Sequence, residues 1–70
     1  MTQGEISMRD RNGLSIHTGD RVSVQTTGAA TMATVIDAHS DMAQELKSVL
    51  VQFENGTAQY MPPTTVAVQR

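Results

Sequence analysis

The sequence predicts an all-β protein: a small barrel of about five short antiparallel strands, with an N-terminal arm or hairpin and one 3₁₀ turn before the last strand. Three observations carry this reading. Apolar residues recur at a spacing of two in short segments, glycine, asparagine or proline punctuates the boundaries, and no segment sustains the 3.6-residue period of a long helix.

Met1 to Glu5 are polar and are expected to be disordered, as chain termini usually are. From Ile6 the pattern changes. Ile6 and Met8 stand on one side of Asp10-Arg11-Asn12-Gly13, and Leu14 and Ile16 on the other, each pair at the spacing of a half-buried strand. Asn12-Gly13 can supply the positive φ angles of a tight turn, so this segment is predicted to be a hairpin or extended arm.

Gly19-Asp20 then breaks the chain, and Val22 and Val24 point to one face while Arg21, Ser23 and Gln25 point to the other. That is a strand with one wet side. A turn around Gly28 leads to a second strand at about 31–39, rich in the β-branched residues Thr34, Val35 and Ile36. Residues 40–47 are predicted to be a loop with one helical turn, capped by Ser40 or Asp41 and too short to stand alone.

Val49, Val51 and Phe53 share the face of a third strand, with Phe53 placed in the core. Glu54-Asn55-Gly56 turns the chain and 57–61 pairs back. Pro62-Pro63 ends that strand because neither proline can donate to a ladder. Thr64-Thr65-Val66 fits one 3₁₀ turn, and Val66 and Val68 mark the last strand.

Composition narrows the function classes. The chain has 70 residues, and a domain of that size buries only about 60% of the surface its unfolded form exposes. A thin stability margin of this kind favours self-association. The absence of cysteine excludes a disulfide framework and a thiolate metal site, and is compatible with the cytoplasmic setting expected here. The longest apolar runs are three residues, against the ~20 a membrane helix needs, so no membrane partner is expected. Five basic against seven acidic residues, with Phe53 and Tyr60 the only aromatics, lack the basic footprint and stacking surface of a nucleic-acid binder.

The order of these segments, a Gly-Asp-Arg-Val start, a β-branched strand, a Phe-Glu-Asn-Gly hairpin and a proline-bounded turn before a short strand, resembles the SH3-like barrel of Tudor and KOW modules. The likeness runs over about residues 17–69. Gly19-Asp20-Arg21-Val22 with the late Gln59-Tyr60 is also locally similar to the plasmid-borne type II dihydrofolate reductases, SH3-like chains whose tetramer encloses one active-site pore. That family's active-site strand reads Val-Gln-Ile-Tyr, with Gln and Tyr on one face, whereas here they are adjacent. Its basic residues after the Gly-Asp-Arg-Val start are replaced by Ser23, Val24 and Gln25, and its interface tryptophan has no counterpart. The hairpin and proline turn at residues 51–63 further resemble a group of small actinobacterial proteins that carry no known activity.

Few residues assemble into chemistry. Asp37, His39 and Asp41 stand at alternate positions, so a continuous strand would aim one imidazole and two carboxylates the same way, a donor set for a hard or borderline metal. The plainer reading is a strand running into a polar loop. His17 has no serine or cysteine partner in the pattern and reads as a solvated turn residue. Arg9, Asp10 and Arg11 form a charged patch suited to a phosphate contact or simply to solvent, and the five methionines read as core and loop packing. A ligand or partner face is expected at Gln52, Gln59 and Tyr60, next to loop 40–47.

The expectation is therefore a non-enzymatic binding or assembly module, whose partner is another protein or a second copy, with no catalytic residues and no cofactor. The alternatives are an enzyme whose site forms at a symmetric oligomer interface, as in the reductase family, and a KOW-like or Tudor-like nucleic-acid adaptor.

Overall fold

A computed structural model describes residues 8–69; the expected disordered N-terminus and Ile6 lie outside them. Five strands, β1 (Arg21–Thr26), β2 (Ala29–Asp37), β3 (Val49–Phe53), β4 (Ala58–Met61) and β5 (Val66–Val68), form one antiparallel sheet in the order β4-β3-β2-β1-β5. The fold is all-β, with one six-residue helix, α1 (Asp41–Leu46), and one 3₁₀ turn (Pro63–Thr65) directly before the last strand. The 3₁₀ turn starts one residue earlier than the sequence suggests, because Thr65 N–H and Thr65 Oγ1 both donate to the carbonyl of Pro62 and leave Val66 extended.

The alternation read from the sequence sets the core. Val22 pairs with Val68 and with Ala33, which pairs with Phe53, and Val35 pairs with Val51. Directly opposed residues of an antiparallel pair share a face. Val22, Val24, Val35, Val49, Val51 and Val66 are all fully buried, Ile16 joins them from the arm, and Phe53 packs against the cluster half-exposed. β-Branched side chains fill most of this core, as suits a pleated surface in a chain with two aromatics.

Residues 8–16 form the predicted arm. Arg9 bridges Ser15, and Ile16 N–H donates to the Met8 carbonyl at 2.9 Å, so Met8 and Ile16 are buried. Leu14 departs from the expected pattern. It closes the turn rather than continuing a strand, and is 39% exposed.

This turn and the one at Asn55-Gly56 have the same construction. Gly13 N–H donates to Asp10 and Asp10 N–H to Leu14; likewise Gly56 N–H donates to Phe53 and Phe53 N–H to Thr57. In each, only the glycine has positive φ, at 85° and 93°, while Asn12 and Asn55 do not. The asparagine thus serves a different purpose from the one the Asn-Gly pair suggests: these are turns closed by a glycine bulge, not two-residue turns with both central residues left-handed. Asn55 Oδ1 accepts from Thr57 N–H instead.

α1 is longer than the single turn expected. Ser40 caps it by accepting from Ala43 N–H at 3.1 Å, and Ala43 is its buried residue. The helix ends in a Schellman arrangement, with Ser48 N–H donating to Ala43 and Lys47 N–H to Gln44. Lys47 sits at the left-handed position, φ 53°, where glycine is usual.

Candidate functional site

The outer face of the sheet is built by the same register that builds the core. Arg21 lies opposite Thr34, Thr34 opposite Gln52, and Gln52 opposite Ala58, forming one row across four strands. In the adjacent row of β3 and β4, Leu50 lies opposite Tyr60. Gln52 and Tyr60 therefore share a face, as expected. Gln59 does not join them: it pairs with Val51 on the core-facing row and is exposed only because β4 is the edge of the sheet. The predicted three-residue face is thus two residues plus Leu50 and Ala58. The same alternation separates Gln59 from Tyr60, unlike the reductase strand, where Gln and Tyr point one way.

Tyr60 and Leu50 are each half-buried, and Tyr60 also packs against the core cluster. Ile36, in the irregular step where the β2–β3 register shifts between Val35 and Asp37, is 40% exposed, and Met42 and Leu46 on α1 are 53% and 49% exposed. Met42 and Leu46 are four residues apart, so they share one side of the helix. Arg21 and Glu54 form an ion pair at 3.5 Å with both side chains exposed, a geometry worth at most about 1 kcal/mol. Beyond the other flank of α1, Met8, Gln44, Lys47 and Pro63 line a mostly apolar groove of about 290 Å³.

The proposed metal set does not come together. β2 ends at Asp37, so the alternation that would align Asp37, His39 and Asp41 stops there. Asp37 instead turns back, accepting from His39 N–H, Ser40 N–H and Ser40 Oγ. The Ser40 hydroxyl, then the Ser40 N–H, hold its carboxyl below the ordinary aspartate range. Asp41 opens α1. Among the described residues, no group of three or more His, Cys, Asp or Glu is placed to hold a metal ion.

Two residues matter more than the sequence suggests. Asp10, read as part of a solvated patch, is 5% exposed. Its Oδ1 accepts from Asn12 and Leu14 N–H at 2.9 and 2.8 Å, and its Oδ2 accepts from Val68 N–H at 2.7 Å. Burial raises its pKa most, but the backbone donors together outweigh that and hold it below the ordinary value. An aspartate ahead of an Asn-Gly turn is a signal for the local half of this arrangement. Nothing local announces Val68.

The second is His17, whose ring centre lies 5.9 Å from that of His39, with the planes at 37°. Each is held through its backbone by an aspartate: His17 N–H donates to Asp20 Oδ2 at 2.9 Å, and His39 N–H to Asp37 Oδ1 at 3.1 Å.

Among the described residues, no helix is long and apolar enough to cross a membrane. Comparison with protein-family models and with curated proteins gives no match.

Proposed function

We propose that this chain is a non-enzymatic assembly module of the SH3-like barrel superfamily, which docks a second copy of itself on the outer face of β3 and β4. The meander order, with β5 returning to β1 after a 3₁₀ turn, is what supports the superfamily reading. The observation behind the docking reading is the Leu50–Tyr60 pair. It places two large, half-buried apolar side chains opposite each other in the row that alternates with the buried valines of β3, Tyr60 also resting against the core cluster, beside exposed Ala58 and Gln52. β4 is also an outer strand of only four residues, ended by Pro62, so main-chain pairing with another copy is limited and side chains would carry the contact.

The test is solution mass by light scattering coupled to size exclusion, at micromolar and high micromolar concentration, for the wild type and for Ala58→Lys. Ala58 is exposed, so a lysine there leaves the core intact and brings like charges together across a two-fold contact. A dimer or tetramer that Ala58→Lys converts to monomer supports the reading. A wild type that is monomeric throughout, or an oligomer that the lysine leaves unchanged, overturns it.

A further inference from the structure

We propose that His17 and His39 form a two-imidazole site for a late divalent transition ion, of which Zn²⁺, Ni²⁺ and Cu²⁺ are the class that imidazole suits. The pair is spatial rather than sequential. His17 lies in the turn that leads into β1 and His39 in the loop that leaves β2, and the 21 residues between them contain the β1–β2 hairpin.

The ladder fixes the approach. Asp20 N–H donates to the His17 carbonyl, Gly19 N–H to Val35, and Val35 N–H to the Asp20 carbonyl, so the turn carrying His17 is pinned to the end of β2 just ahead of His39. The two aspartate bonds to the histidine N–H groups then hold the local backbone on each side. Neither segment needs to move for the rings to meet.

The spacing fits a shared ion. A metal about 2.0–2.1 Å from each ligating nitrogen sits roughly 3.2 Å from each ring centre, so two rings sharing it at tetrahedral or wider angles have centres roughly 5–6.5 Å apart. The observed 5.9 Å lies in that interval. His17 is exposed and has room to turn a nitrogen inward, while His39 is half-buried and sets the position. No third His, Cys, Asp or Glu joins them among the described residues, so water would complete the shell, as in sites with open positions. Such an ion would tie the turn before β1 to the loop after β2. This site shares only His39 with the Asp37, His39 and Asp41 set expected from sequence, and it is independent of the docking face.

Isothermal titration of Zn²⁺ into the wild type, His17→Gln and His39→Gln tests the proposal, with electron paramagnetic resonance of the Cu²⁺-loaded wild type as a second measurement. The expected result is one ion per chain, weakened roughly tenfold or more by either substitution, and a Cu²⁺ spectrum with two nitrogen couplings. No binding to the wild type, unchanged binding in His17→Gln, or a Cu²⁺ spectrum with fewer than two nitrogens would overturn it. Because His17 is an exposed turn residue, His17→Gln decides the question even if His39→Gln does not fold.

Discussion

The carboxylate of Asp10 stands in for a missing strand beside Val68. Val68 N–H points away from β1, since the next amide, Gln69, is the one that donates to Arg21, and Asp10 Oδ2 receives it at 2.7 Å. Arg11 N–H donates to the Val66 carbonyl on the same edge at 3.0 Å. The outer edge of β5 is thus satisfied by one side chain and one amide of the arm, and is no longer an open edge.

Asp10→Asn is expected to destabilise the fold by about 1–3 kcal/mol, the cost of leaving a buried donor unmet, because an amide side chain cannot accept on both sides at once. Urea unfolding followed by circular dichroism measures it. A change within a few tenths of a kcal/mol would mean that water replaces the lost acceptor.

Acid should act through the same group. Asp10 has a lower pKa folded than unfolded, so its contribution is fully present above the unfolded value of about 3.9 and is lost as pH falls through the folded value. Asp37 is shifted in the same direction, chiefly by the Ser40 hydroxyl. Wild-type stability should therefore fall below about pH 4, and Asp10→Asn should show a shallower fall over that range. Parallel profiles for the two proteins would assign the acid sensitivity elsewhere.

Ser40→Ala removes both the cap of α1 and the largest influence on Asp37. The expected loss of stability is about 1 kcal/mol, typical of a cap. NMR titration of the Asp37 carboxyl should show its pKa rising toward the ordinary aspartate value.

Lys47→Gly and Gly56→Ala should have opposite signs. A left-handed residue other than glycine costs roughly 1–2 kcal/mol, of which about 0.4–1 is offset by the narrower unfolded ensemble. Lys47→Gly should therefore stabilise by about 0.5–1 kcal/mol and Gly56→Ala destabilise by about as much. No atom lies within 4 Å of a Cβ built on Gly56, so its cost is conformational rather than steric. Thermal melts of the two variants, read against the wild type, are sufficient.

How far the sequence reaches depends on the range of the interaction. Val22, Val24, Val49 and Val51 reveal themselves through alternation, a property of neighbouring residues, and all four are buried. Ser40 is legible as a cap for the same reason. The bond from Val68 to Asp10 spans 58 residues, so three consecutive charged residues read as a wet patch although the central one is buried. β2 ends at Asp37, whose carboxylate turns back to accept from His39 N–H and Ser40 N–H, and this local turn undoes the expected Asp37, His39 and Asp41 alignment. The partner face was half legible: alternation separates Gln59 from Tyr60, but only the β3–β4 register reveals that Leu50 is Tyr60's neighbour.

The pairing of β5 with β1 also sets a schedule for synthesis. β1 to β4 pair with sequence neighbours and can form as a meander while the chain emerges, but Val22 and Val24 gain their β5 neighbours only once residues 66–68 are available. Until then the first strand presents one unpaired edge and an incomplete apolar surface, at the stage when a nascent chain is most open to wrong pairing. The arm bearing Asp10 is translated before all five strands yet completes its bond only with the last of them. Asp10 and Arg11, made ahead of the sheet, are thus locked only when its closing strand arrives.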